Sequence, residues 1–362
     1  MIHYAKFLSK RILCRKSNIY LILASIAIVC VFLVMNMRSQ DTLRENIESQ
    51  LQATHHEGYF NRGVYEKLLS YYDNKDWPMV YSEYSKILEE NREASENAIQ
   101  LTNDTTNISN ESLSYFNREL AYIQYLNNHN LVYENAEFPI FGLTFTTSIS
   151  QIILPIMITS ICIYILSQLF TIEYSKHIDM SMLLPIGKRK VFLTKMILGI
   201  TISILVFSII LLSSFILASL FTFHIGLEYP IMVQDISTGS WLAIKAVTLF
   251  KDWFFIGSLF LVNVCLFTCI LSFFIKEEGP LFLVTICIIL GLALLPMVTG
   301  YCTTIAHILP TTYMNYVDVV IGTFTIRYGN VNVSTSTGFQ VLSIVFAVQL
   351  VLCIAKNYIK QK

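Results

Sequence analysis

Met196-ILGITISILVFSIILLSSFILASLFTF-His224 holds no Asp, Glu, Lys or Arg from end to end. A helix rising 1.5 Å per residue crosses the roughly 30 Å hydrocarbon core of a bilayer in about 20 apolar residues. The run exceeds that need, so it tilts or projects beyond the membrane. Working outward, comparable runs occupy residues 18–37, 146–170, 254–275, 281–305 and 339–355, with 196–223 as the third of six spans. Apolar residues make up 54% of the 362-residue chain and charged ones 14%, whereas soluble proteins carry about a quarter charged. The fold class predicted is an all-α polytopic membrane protein: six transmembrane helices, with a mostly helical extracellular domain between helices 1 and 2. With a formal net charge of zero, nothing points to nucleic acid as a partner.

Orientation follows from Lys and Arg. With residues 1–17 inside, the cytoplasmic segments (1–17, 171–195, the turn at Lys276 and the tail 356–362) hold 14 of the 25 bases in roughly 55 residues. Both termini are expected to be cytoplasmic. The first span follows a basic stretch but lacks a small-x-small cleavage site, so a retained anchor is expected rather than a signal peptide. Tyr4, Phe7, Leu8 and Ile12 recur at helical spacing ahead of it, the pattern of an amphipathic helix lying on the inner leaflet.

Residues 39–138, within an outer domain expected at 38–140, carry 17 Asp and Glu against seven Lys and Arg, a net charge of −10. Apolar residues still recur at helical spacing: Trp77, Val80, Tyr81, Tyr84, Ile87 and Leu88, then Leu113, Phe116, Leu120 and Ile123. Thr102 to Ser112 reads as a loop before a helix capped near Asn110. Ten of the 20 tyrosines fall in this segment. Tyrosine beside carboxylate suits cationic amphipathic ligands, and equally suits a small packed core. His55, His56 and Glu57, with His129 distant, meet no metal-ligand spacing, so no metal site is expected.

The segment between spans two and three reads Phe170-TIEYSKHIDMSMLLPIGKRKVFLTK-Met196. Glu173 can pair with Lys176 or His177 on a short helix whose apolar face is Ile178, Met182 and Leu183. In the stretch Leu184, Pro185, Ile186 and Gly187, the proline and the glycine stop that helix and turn the chain back. Lys188, Arg189, Lys190 and Lys195 hold the turn at the inner leaflet. The pattern fits a rigid elbow that transmits a push from a cytosolic partner, and it also fits an ordinary positive-inside loop.

This segment resembles the coupling region of ABC-2-type exporter permeases, in which a Glu leaving span two precedes a Leu-x-x-Pro turn and a basic start to span three. The span order is similar to the sodium- and peptide-exporting branch. Asn117-RELAYIQYLNNHNLVYENAEFPIFG-Leu143 resembles a segment of permeases found beside antimicrobial-peptide immunity systems of Gram-positive bacteria. Tyr174, Ser175 and Lys176 stand where that family often has small or acidic residues. The resemblance implies that Glu173 to Lys190 docks on a cytosolic ABC ATPase subunit carrying ATP and Mg, and that two permeases, identical or different, pair in the cell membrane.

The chain itself lacks Gly-x-x-x-x-Gly-Lys-[Ser/Thr]. No cofactor and no catalytic residue are expected in it, so it is not expected to be an enzyme. No Asp, Glu, Lys or Arg lies within the six cores, which disfavours an ion-coupled carrier. Asn263 is expected to bond a neighbouring helix, and Cys265 and Cys269 to pack. Residues 224–253 and 306–338 are expected outside, Trp241 to Asp252 at the interface and 306–338 as a re-entrant helix followed by a hairpin. The function expected is export of antimicrobial peptides or similar amphipathic toxins. The alternatives are a non-transporting mechanotransmitter or signalling subunit and a sodium exporter. The substrate-binding residues are unknown at this level.

Overall fold

The computed structural model describes residues 2–53, 62–102, 107–175, 178–179, 187–235 and 238–359. In chain order, the helices are α1 (Ile2–Leu13), α2 (Lys16–Arg38), α3 (Thr42–Ala53), α4 (Arg62–Asp73), α5 (Trp77–Thr102), α6 (Asn107–Asn128), α7 (Gly142–Ile152) and α8 (Leu154–Thr171). A ribbon of β1 (Tyr174–Ser175) and β2 (Ile178–Asp179) precedes α9 (Lys188–Thr222). Strands β3 (Pro230–Gln234) and β4 (Trp241–Lys245) precede α10 (Ala246–Ser272), α11 (Glu278–Val298) and α12 (Gly300–Ile305). A 3-10 turn at Pro310–Met314, α13 (Tyr316–Ile321), α14 (Thr323–Tyr328) and α15 (Thr335–Ile359) complete the chain. Among the described residues, six helices are long and apolar enough to cross a membrane: α2, α8, α9, α10, α11 and α15.

The chain divides into two compact units. The first comprises Met1–Cys30, Ile149–Ile216 and Phe250–Lys362. At its centre stands α8, 78% buried against 17% for α15. Close packing of α10 needs Gly257, whose missing Cβ would sit 2.9 Å from Phe207 of α9 and 3.1 Å from Tyr316 of α13. Asn263 donates to the Leu342 carbonyl of α15 at 3.1 Å, the interhelical bond expected of it. Cys265 and Cys269 are buried.

Two expected spans are interrupted. The 146–170 run divides at Ile153 into α7 and α8, two residues ahead of Pro155. The 281–305 run divides at Thr299, which is extended (φ −123°, ψ 120°), so α12 restarts after α11 ends. Pro296 lies inside α11 and has no N–H to continue the ladder.

The hairpin expected within 306–338 is absent from the described residues there, and the segment is helical instead. Gly322 (φ 84°) and Gly329 (φ 68°) bracket α14 in the left-handed conformation that ends helices. Buried Phe324 and the bond from Thr325 Oγ1 to the Val333 carbonyl (2.8 Å) hold a β-prone sequence in helical form. A hairpin forms elsewhere, where β3 and β4 pair antiparallel with Pro230 opposite Lys245 and Gln234 opposite Trp241.

The second unit comprises Val31–Ser148 and Leu217–Leu249. Its core gathers Leu43 and Ile47 of α3, Leu68 of α4, Val80, Tyr81 and Leu88 of α5, and Leu120, Ile123 and Leu126 of α6. The helical spacing of the 77–88 and 113–123 stretches thus marks their buried faces. Helix α6 begins at Asn107, three residues ahead of the expected cap. The tyrosines serve mainly this core. Tyr81 and Tyr122 are fully buried in it, and Tyr65, Tyr71, Tyr72, Tyr84 and Tyr133 pack against it. His55, His56 and Glu57 lie outside the described residues, while His129 stacks on Tyr125 at 4.0 Å.

Within this unit, Glu134 ties the chain that follows α6 to the start of α7. Its Oε1 accepts the backbone N–H groups of Ile140 and Phe141, both at 2.7 Å, and the Thr144 hydroxyl at 2.8 Å. Burial pushes its carboxyl up to about 7, against the pull of those hydrogen bonds.

Candidate coupling site

Helix α8 carries the chain to Glu173, two residues past its end. The expected helix is not formed at the described residues 174–175 and 178–179, while Met182 and Leu183 of its expected apolar face lie outside the described residues. Tyr174 pairs with Asp179 and Ser175 with Ile178, an antiparallel ribbon where the i, i+4 pattern suggested a helical face. A carboxylate held by distant partners leaves the residues after it free of the need for an i, i+4 bond.

Those partners come from other helices. Lys195, two turns into α9, sets its Nζ 3.0 Å from Glu173 Oε2, with side-chain exposures of 7% and 12%. Tyr4 of α1 donates its hydroxyl to Glu173 Oε1. Burial, then the neighbouring carboxylate, pushes the Tyr4 hydroxyl well above the usual tyrosine range, so it stays a donor. At these exposures the ion pair is shielded from solvent, and removing either partner strands a charge.

Tyr4, Leu8 and Ile12 form the buried stripe of α1, and Phe7 is 57% exposed. The apolar face expected to rest on lipid is therefore covered by protein, with α1 against α8. Asn18, at the start of α2, donates to the Ile12 carbonyl at 2.8 Å and to Gln168 Oε1 of α8 at 2.9 Å.

The connection from α10 to α11 reaches the same place. Lys276 Nζ lies 4.6 Å over the Tyr174 ring. Arg15 pairs with Glu278 at 3.1 Å, an exposed contact of small energy. Between them opens a cleft of about 780 Å³ lined by Arg11, Arg15, Gln168, Tyr174, Lys276 and Glu278.

Of the residues expected to contact an ATPase, Glu173 is largely shielded from solvent by its partners. Gly187, Lys188, Arg189 and Lys190 are exposed at the start of α9, where the Gly187 carbonyl accepts from Lys190 N at 2.8 Å. Lys176, His177, Leu184, Pro185 and Ile186 lie outside the described residues. Lys195, read from sequence as one more inner-leaflet base, is instead the counter-ion of Glu173. Asn18 and Gln168 carry no charge to mark them in or beside apolar runs, and Tyr4 reads in sequence only as part of an apolar stripe.

The site holds ion pairs and amide hydrogen bonds, chemistry suited to joining helices. No protein-family model matches the chain, and the comparisons with curated proteins and with solved structures found no match.

Proposed function

We propose that this chain is the membrane-spanning permease subunit of an ATP-driven exporter, powered by a separate cytosolic ABC ATPase. The observation that carries the reading is the Glu173–Lys195 ion pair with Tyr4 bonded to the same carboxylate. Glu173 follows α8 and Lys195 belongs to α9, so a force on the chain that joins them is delivered through the pair to both helices, and through Tyr4 to α1. Packed helices move as rigid bodies when pushed at such a joint. Exposed Lys188, Arg189 and Lys190 offer a docking face for the ATPase.

In this reading both termini lie in the cytoplasm of a Gram-positive bacterium. The second unit faces outward with its net negative charge, and a second permease, identical or different, completes the path. The cargo is an antimicrobial peptide or similar amphipathic toxin. The acidic exterior attracts cationic cargo by charge, since most tyrosines of that unit are engaged in its core.

The test is ATP turnover by the full chain, purified in lipid with its co-encoded ATPase, across a panel of cationic peptides, ionophores and sodium. Stimulation by cationic peptides that is lost in E173Q is the expected result. Sodium as the sole stimulant would replace the cargo assignment, and silence across the panel would overturn the export reading.

A further inference from the structure

Where α1 passes into α2, the chain carries Lys10, Arg11, Arg15 and Lys16 and no carboxylate. Packing in the first unit brings this bend to the connection between α10 and α11. The cleft of about 780 Å³ at the coupling site therefore has Arg11, Arg15 and Lys276 in its wall, against Glu277 and Glu278. Arg15 and Glu278 cancel each other, with Arg15 Nη1 at 3.3 Å and 3.1 Å from the two carboxylate oxygens. Glu173, next to Tyr174 in the chain, is already neutralised by Lys195. Lys276 lies 4.6 Å over the Tyr174 ring, a contact that leaves the ammonium positive. Arg11 is exposed, and its guanidinium has no ion-pair partner among the described residues. The bend and the cleft together hold positive charge in excess over Glu277 and Glu278.

Like charges held close repel, and an anion between them relieves that cost. A guanidinium presents its N–H donors in a planar fork that matches phosphate oxygens two at a time. Basic pockets between the ends of transmembrane helices take phosphorylated headgroups for these reasons. The cleft also falls in the size range of small-molecule sites, roughly 300–1,000 Å³.

The spans that begin here distinguish a lipid from a soluble phosphate. Helix α2 starts at Lys16 and exposes Ile19, Tyr20 and Leu23 within its first turns, and α11 starts at Glu278 and exposes Leu283 and Val284. A headgroup seated between the two starts lays its acyl chains along such residues, apolar surface that a free phosphate would leave bare.

We propose that this cleft binds the phosphodiester headgroup of an anionic glycerophospholipid through Arg11, Arg15 and Lys276. The site is independent of the exporter reading, because it requires neither an ATPase nor a cargo.

The full-length protein is purified in mild detergent, incubated with phosphatidylglycerol or with phosphatidylcholine, and weighed intact by native mass spectrometry. Phosphatidylglycerol stays on the chain under washing that strips phosphatidylcholine. R11Q/K276Q weakens its binding roughly tenfold or more. R11Q alone, at an exposed position that keeps the fold, weakens it by a smaller factor. K188Q/R189Q/K190Q removes three bases outside the cleft and changes binding little. E277Q removes a carboxylate from the wall and tightens binding, a direction that a merely structural residue would not give. Equal retention of the two lipids, a loss in K188Q/R189Q/K190Q as large as in R11Q/K276Q, or binding unmoved in both R11Q and R11Q/K276Q overturns the site. Displacement of the lipid by excess glycerol 3-phosphate makes the occupant a soluble phosphate and overturns the lipid assignment. No ATPase is present in these measurements, so their failure leaves the exporter reading to its own test.

Discussion

Asn18 and Gln168 exchange a reciprocal pair of hydrogen bonds: Asn18 Nδ2 donates to Gln168 Oε1 at 2.9 Å, and Gln168 Nε2 donates back to Asn18 Oδ1 at 3.0 Å. Both side chains are buried, so the pair fixes how α2 meets α8 at the level of the coupling site. N18L strands the Gln168 amide and should lower stability by about 1–3 kcal/mol. The N18L/Q168L pair should recover most of that loss, leaving the cost of the bond to the Ile12 carbonyl. Thermal melting of the three variants in detergent checks the order.

At the neighbouring ion pair the same logic has higher stakes. K195M leaves Glu173 charged, largely shielded from solvent and without its counter-ion, with an expected loss of about 3 kcal/mol. E173Q/K195M should be closer to the wild type than K195M alone. Y4F should cost less, about 1–2 kcal/mol, by removing one donor. A double-mutant cycle on unfolding in detergent measures the coupling. Additive losses would show that the two charges act separately.

Glu134 makes stability depend on pH. Its carboxyl titrates at about 7 in the folded chain and in the ordinary carboxylate range when unfolded. Between those values the folded state binds the extra proton, so stability falls as pH rises and is flat above the folded value. E134Q keeps an acceptor for Ile140 and Phe141 and cannot ionise. Melting across the acid-to-neutral range should therefore decline less steeply in E134Q, with the variant ahead on the alkaline side of neutrality. E134A, which strands two N–H groups, should be less stable than wild type throughout.

Two glycines of the first unit separate close packing from open space. G257A puts a methyl against Phe207 and Tyr316, rings that are themselves buried and meet edge-on at 5.6 Å, so they have no room to yield. A loss of about 1–3 kcal/mol is expected. At Gly291, inside α11, an added methyl would meet nothing within 4 Å. G291A should be neutral or gain up to about 1 kcal/mol from helix propensity. Paired melting curves for the two variants check the contrast.

Orientation is read by thiol chemistry. Cys14 is exposed beside the basic start of α2, and residues 39–138 contain no cysteine. In intact cells, a membrane-impermeant maleimide should miss Cys14 and reach a cysteine introduced at Ser49. The opposite pattern would invert the topology.

The spans were legible because hydrocarbon demands long uncharged runs, and such runs leave no other reading. The buried stripes of α5 and α6 were legible because a small core needs apolar residues at helical spacing. The breaks at Ile153 and Thr299 were signalled by Pro155 and Pro296, which hydropathy alone passes over. The β3–β4 pairing depends on partners across a turn, and α14 on burial of Phe324, neither visible in a local window. Glu173 stood out in the sequence as a carboxylate that pairs with a base, but its partners were not legible. Tyr4 and Lys195 are brought to it by the packing of three helices, and a carboxylate near local bases invites the local pairing first.

Pro296 leaves the Leu292 carbonyl without its ladder donor near the end of α11, and the chain straightens at Thr299 before turning helical again. A span with a missing rung bends there at low elastic cost. Its neighbour in sequence, α10, runs from Ala246 to Ser272 without a proline. Under lateral load the two respond differently, α10 as a stiff strut and α11 as a jointed one, so bending of α11 concentrates near Thr299.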